Sequence, residues 1–155
     1  MLDAAVVSLL LVLGLGKLAQ LLGGSGQGAP FDGAWAVAFA GPGPWVSPLP
    51  GVPAHPAQVY EGLWLLAALP AAVLWLGSRR ALWTRRAADQ AVAADRGGGL
   101  FVAFLLWFLL GRIVVGFSWR DDAVLGPLNV EQVVAMISIA VLVGATLYVR
   151  RRSIV

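Results

Sequence analysis

The chain has 155 residues, 59% of them hydrophobic and 12% charged, with a mean hydropathy of +0.82. A soluble domain carries about 25% charged residues, so this chain has too little polar surface to cover a globule, and it is far too apolar for a disordered one. The pI of about 10.2 does not point to nucleic acid, because eight of the eleven Lys and Arg residues flank apolar runs instead of forming a groove-facing patch.

Four apolar runs predict transmembrane helices, at about residues 4–22, 58–78, 99–117 and 130–149. Each is close to the ~20 residues needed to cross a bilayer core. The first lacks a basic leader and a small-residue cleavage site, so it reads as a span and not as a signal peptide. The expected fold is an all-α integral membrane protein of four transmembrane helices with a long Gly/Pro-rich outer loop, forming one membrane domain over residues 1–155.

The loop over residues 23–57 holds eight glycines and seven prolines and no Lys or Arg. This composition excludes a long regular helix; only Ala34 to Phe39 reads as extended. A mobile loop is the expectation, with a backbone cradle for an anion as the alternative. The loop over residues 79–98 carries Arg79, Arg80, Arg85, Arg86 and Arg96, and Arg150, Arg151 and Arg152 follow the last span. A short amphipathic helix is expected from Ala81 to Ala94. The loop from Ser118 to Asn129 carries only Arg120, beside Asp121 and Asp122. By the positive-inside rule the basic segments and both termini are cytoplasmic. Trp35, Trp45, Tyr60, Trp64 and Trp119 then mark the outer interface, and Trp75, Trp83 and Tyr148 the inner one.

With no cysteine in the chain, disulfides, thiolate metal sites and a cysteine nucleophile are excluded. His55 alone is too little for zinc, which takes three or four protein ligands, and no metal is expected. Four ionisable residues fall inside or at the ends of the spans: Lys17, Glu61, Arg112 and Glu131. Charge within a bilayer costs at least ~2.5–3.5 kcal/mol at a helix centre. The topology puts all four at one depth near the outer face, with Gln20, Gln58 and Gln132 at the same level. Glu131 and Gln132, beside Asn129, suit a helix start, where capping accounts for them. Arg112 sits about five residues inside its span, roughly 7–8 Å deep, and needs a buried partner; Glu61 is the expected partner of Arg112 or Lys17. Arg binds phosphate with a planar two-pronged fork and Lys as a point charge. Two cations beside a Gly-rich loop therefore suit an anionic lipid headgroup.

The run His55-Pro56-Ala57-Gln58-Val59-Tyr60-Glu61 resembles the H-P-[ST]-Q-x-Y-E motif of bacterial prolipoprotein diacylglyceryl transferases. Gly16 to Gly28 is similar to that family's G-R-x-x-N-F-x-N-G-E-x-x-G signature without a gap, with Lys17 at its Arg, Gln20 at its first Asn, Ser25 at its Glu and Gly28 at its last Gly. Phe108, Arg112 and Gly116 fall where the family has Y-x-x-x-R-x-x-x-E. Gly126 to Ser138, with Gln132, resembles its closing stretch. The resemblance spans the whole chain but about the C-terminal half of the family, whose members usually have seven transmembrane helices; this chain looks like the last four.

The resemblance implies transfer of a diacylglyceryl group from phosphatidylglycerol to a lipobox cysteine thiol of a preprolipoprotein, in the bacterial inner membrane, with no metal or cofactor. It implies catalytic roles for Arg112, Glu61 and Tyr60, and lipid-binding roles for Lys17, Gln20, Ser25, Gly28, His55, Gln58 and Gln132. The residues alone read His55 as a capping residue at a helix start, next to Pro56 in the first helical position. The family's essential histidine falls in the half not seen here. Two alternatives stay open: a non-catalytic relative that binds anionic lipid or a partner, and one half of a split enzyme whose partner chain brings the missing helices.

Overall fold

The computed structural model describes residues 2–39, 49–86 and 98–152. Its elements are α1 (Leu2–Leu22), α2 (Ala57–Ala67), α3 (Leu69–Arg86), α4 (Gly99–Gly116), the strands β1 (Ala123–Leu125) and β2 (Leu128–Asn129), and α5 (Val130–Arg152). Four stretches are long and apolar enough to cross a membrane: Leu2–Leu22, Ala57–Ser78, Gly99–Gly116 and Val130–Val149. The protein is a helical integral membrane protein with one small hairpin. Trp45, Arg96, residues 87–94 of the expected amphipathic helix and residues 153–155 of the basic tail lie outside the described residues.

Three helix ends have an identifiable cause. At the end of α1, Ser25 N–H donates to Gln20 O (2.9 Å) and Gly24 N–H to Leu21 O (3.1 Å), with Gly24 at φ +70°. This is a Schellman stop, in which glycine takes the left-handed position. α5 starts with a reciprocal capping box. Gln132 N–H donates to Asn129 Oδ1 and Asn129 N–H to Gln132 Oε1, both at 2.9 Å. α4 is capped from a distance: Asp3, in the first turn of α1, accepts Gly98 N–H (3.0 Å) and Phe101 N–H (2.9 Å). The starts of α1 and α4 therefore meet at one end of the bundle. The hairpin turns through Gly126-Pro127, with Gly126 at φ +58°, where the sequence alone suggests only a loop.

The second span is not one regular helix. A turn at Ala68 separates α2 from α3. Pro70 has no N–H to return to Leu66 O, which breaks the ladder, and Ala68 N–H reaches back only three residues, to Leu65 O (3.2 Å). α1 and α2 approach closely where side chains are absent. A Cβ on Gly62 would lie 3.0 Å from Gly14 O, and one on Gly14 would lie 2.8 Å from Leu66 Cγ. Such contacts between small residues are how helices pack where lipid removes the hydrophobic drive. Val6, Leu10, Leu65, Ala72 and Phe104 form the buried apolar core.

In its described parts the Gly/Pro-rich loop is tied down, contrary to the expectation of a mobile loop. Ala54 exchanges both backbone hydrogen bonds with Val37, Phe31 N–H donates to Pro53 O, and Ala29 N–H donates to Ser118 O. The buried Gln27 side chain is bonded to the backbone of Leu49 and Val52. Prolines cannot donate, so a glutamine amide and isolated bridges take the place of a sheet. The expected extended stretch also begins late: Ala36 N–H bonds Gly33 O, which makes Ala34 and Trp35 a turn.

Candidate functional site

Lys17, Glu61, Arg112 and Glu131 meet at the opposite end of the bundle from Asp3. α1 and α4 end there, and α2 and α5 begin there. Glu61 is at the centre. One carboxylate oxygen pairs with Lys17 Nζ at 2.6 Å. The other accepts from Arg112 Nη1 and from Trp119 Nε1 at 2.9 Å. Arg112 turns its second nitrogen, Nη2, to Glu131. Glu61 is 5% exposed, Lys17 23%, Arg112 19% and Glu131 49%. A buried carboxylate needs charge-assisted hydrogen bonds, and Glu61 has three. The cluster holds two positive and two negative groups, so its charge is balanced without a ligand.

The α2 side of the site follows from helical spacing. Gln58, Glu61, Gly62 and Leu65 all lie on its buried face. Gln58 Nε2 donates to Ser25 O (2.7 Å) and Gly26 O (3.1 Å), which fastens the loop after α1 onto α2. Gly26, at φ +75°, lies under the Trp119 ring, and a Cβ there would be 2.7 Å from it. Gly28 passes so close to His55 that a Cβ would collide with His55 O. The Lys17 ammonium stands 5.3 Å from the Trp119 ring centre, in cation–π range.

His55 and Tyr60 form a second group beside this one. The His55 ring stacks on Phe31 at 4.0 Å between centroids. Trp35 Nε1 donates to the Tyr60 hydroxyl (2.7 Å), which is 3.2 Å from His55 Nδ1. An indole only donates, so the Tyr60 oxygen accepts from Trp35, while the imidazole tautomer sets which of Tyr60 and His55 donates to the other. The side chain of His55 is thus not a helix cap. Pro56 takes the N-cap position of α2, without a side-chain cap bond, one residue before the first helical position expected for it.

The remaining expected residues lie around these groups. Ser25 and Gly28 act through the backbone. Gln20 is exposed, and its carbonyl serves the α1 stop. Gln132 is 1% exposed, and its amide is committed to the α5 capping box and to Ile113 O (2.9 Å). It also fills the space at Gly116, where a Cβ would lie 2.7 Å from its Cγ. Two members of the site lie outside the set expected from sequence. Trp119 reads there only as an interface aromatic, and Glu131 only as a cap. The common depth of the four charges is the signal for Glu131; Trp119 has none, because its bond to Glu61 spans 58 positions.

A family model described as prolipoprotein diacylglyceryl transferase matches residues 1–149, which takes in every residue of both groups. The chain belongs to the prolipoprotein diacylglyceryl transferase family. Among curated relatives, a phosphatidylglycerol–prolipoprotein diacylglyceryl transferase of Ruegeria pomeroyi is 35% identical over 113 residues, 70% of this chain and 34% of that protein. Proteins of the same description from Bacillus cytotoxicus and Bacillus mycoides are each 33% identical, over 66% of this chain and 32% of their own length. The chain therefore spans about a third of the length of these relatives. No solved structure gives a significant match. Within the His55-to-Glu61 run that resembles this family's motif, Gln58 and Glu61 serve the ion cluster and the loop, and His55 and Tyr60 serve the aromatic group.

Proposed function

We propose that this chain carries out, or contributes the headgroup end of, diacylglyceryl transfer from phosphatidylglycerol to a lipobox cysteine thiol. The observation that carries this reading is Arg112. Its guanidinium is held in place by the buried Glu61 through one nitrogen, while the other faces a half-exposed carboxylate. A small recess lined by Glu61, Trp64, Leu65, Phe108, Gly111 and Arg112 lies against it. That recess, about 10 Å³, leaves Arg112 reachable at its rim, and a guanidinium suits a lipid phosphate.

In the reaction the incoming sulfur forms a new S–C bond, the C–O bond to phosphate breaks, and glycerol phosphate leaves with the electron pair. Arg112, with Lys17 as the second cation, neutralises the charge that grows on the leaving phosphate. Glu61 positions both. The thiol must lose its proton to attack, and the Tyr60–His55 pair is the group we assign to that proton transfer. Gln58, Ser25, Gly28 and Gln132 support the site by holding loop and helix ends, and Gln20 lies at its rim.

The proposed setting is the bacterial inner membrane, with the ion cluster near the outer face and both termini cytoplasmic. Support comes from the charge distribution: Arg151 and Arg152 lie at the end of α5 far from the cluster. A second reading, an anionic-lipid binder without turnover, is favoured by the engagement of His55 Nδ1 with Tyr60.

The test is transfer of labelled diacylglyceryl from phosphatidylglycerol to a lipobox peptide by the purified chain in nanodiscs. Transfer that is lost in Arg112→Gln supports the enzyme reading. Lipid binding without transfer supports the binder.

A further inference from the structure

The two carboxylates on Arg112 are not equivalent. Glu61 is 5% exposed and is also bonded to Lys17 and Trp119. Glu131 is 49% exposed, and Arg112 is the one ion-pair partner found for it among the described residues. Glu131 also lies on the wall of an open recess of about 260 Å³, shared with Asp121, Asp122, Val124 and Val130. Its helix start does not depend on it, because the α5 cap is made by Asn129 and Gln132.

An anion that approaches Arg112 therefore meets one bond that is buried and held by three groups and one that is open to water. Exposed ion pairs are weak, worth about 0.2–1 kcal/mol, or roughly 1.5- to 5-fold in an equilibrium constant. Buried pairs are costly to break. A phosphate oxygen and the Glu131 carboxylate have the same charge and seek the same Nη2 donor.

We propose that Glu131 is a displaceable counter-ion: it occupies the Nη2 edge of Arg112 when the site is empty, and a lipid phosphate takes its place on binding. This rests on the reading of Arg112 as the phosphate ligand and adds the residue that sets the affinity and selectivity of that ligand. Glu131 keeps the Nη2 edge of Arg112 from being left without a partner. It also imposes a threshold, since only a ligand whose charge outcompetes a carboxylate is bound. A phosphatidylglycerol phosphate, with no cation of its own, passes that threshold more readily than the phosphate of a zwitterionic lipid.

The experiment measures binding of phosphatidylglycerol and of phosphatidylethanolamine by native mass spectrometry for the full chain and for Glu131→Gln, Asp122→Asn, Arg112→Gln and the double variant Arg112→Gln/Glu131→Gln. Thermal shift in detergent confirms that each is folded. Glu131→Gln should tighten phosphatidylglycerol binding by about 1.5- to 5-fold and narrow its preference over phosphatidylethanolamine. Asp122→Asn, which removes the same charge from the same recess but no bond to Arg112, should have a smaller effect. In the Arg112→Gln background the Glu131 effect should vanish. Weaker or unchanged binding in Glu131→Gln, or an equal effect of Asp122→Asn, would overturn displacement. If Arg112→Gln itself left phosphatidylglycerol binding intact, the phosphate reading of Arg112 would fall, whatever Glu131 does.

Discussion

Trp64 and Trp107 hold each other by reciprocal bonds. The indole of Trp64 donates to Trp107 O at 2.9 Å and that of Trp107 to Trp64 O at 2.8 Å, with the rings stacked 4.4 Å apart. Ala68 N–H bonds Leu65 O, which leaves Trp64 O to its partner outside the helix, while Trp107 O accepts from within the continuous α4. This pair of bonds ties α2 to α4 beside the ion cluster. Gly111 completes the contact, since a Cβ there would lie 2.5 Å from the Trp64 ring.

Trp107→Phe keeps the stacking and removes one donor, leaving Trp64 O without its partner at membrane depth. The expected loss is about 1–3 kcal/mol, read as a lowered unfolding midpoint in detergent. Gly111→Ala should be at least as harmful, because Trp64 must move. A Trp107→Phe protein as stable as the parent would mean that water or lipid headgroup satisfies the carbonyl.

Glu61→Gln should strand Lys17 and half of Arg112. Removing one partner of a buried pair costs about 3–5 kcal/mol. Here Lys17 and Arg112 are 23% and 19% exposed and Arg112 keeps Glu131, so a loss of about 1–3 kcal/mol is expected. Thermal unfolding of the purified chain measures it, and an unchanged midpoint would show that solvent already screens the cluster.

For lipid binding, Arg112→Lys keeps the charge and loses the planar fork, so phosphatidylglycerol binding should fall partially, and in Arg112→Gln strongly. Each lost charge-assisted hydrogen bond is worth ~1.5–3 kcal/mol, roughly 10–150-fold in affinity. Lys17→Gln should reduce the preference for phosphatidylglycerol over phosphatidylethanolamine more than Arg112→Lys does. Titrations with each lipid, followed by native mass spectrometry, separate these effects.

At the far end of the bundle, Asp3→Ala removes both cap bonds to Gly98 and Phe101. A lost N-terminal cap costs about 0.5–2 kcal/mol, and Asp3→Asn should lie between the two, with an acceptor kept and the charge lost. Amide hydrogen exchange at Gly98 and Phe101 should rise in step, and exchange unaffected by either change would contradict the cap.

The orientation is testable because the chain has no cysteine of its own. Asp122→Cys should react with an impermeant thiol reagent added outside intact cells, and Arg151→Cys only after permeabilisation. The reverse pattern would put the ion cluster on the cytoplasmic side.

Chain chemistry alone was enough for the four spans, because a bilayer demands about 20 apolar residues per crossing and that demand is written locally. The charges were legible for a related reason. Lys17, Glu61, Arg112 and Glu131 are costly in apolar surroundings, so their presence at matching depth, one in each of the four spans, already implies a meeting place. The hairpin at 123–129, the turn at Ala68 and the ties across the loop were less visible. Of these, only Pro70 and Gly126 carry a local signal.

The side-chain assignments within the site belong to the folded molecule. Sequence spacing does not distinguish Lys17 from Arg112 as the partner of Glu61; in the structure Glu61 takes both, one on each oxygen, and Trp119 as well. Nor does it show that Gln132 is spent on the start of α5 while its neighbour Glu131 reaches Arg112. Helical periodicity assigns a residue to a face, but which donor meets which acceptor depends on how α1, α2, α4 and α5 are placed against one another. That placement is set by Gly14, Gly62, Gly111 and Gly116, residues whose contribution is the absence of a side chain.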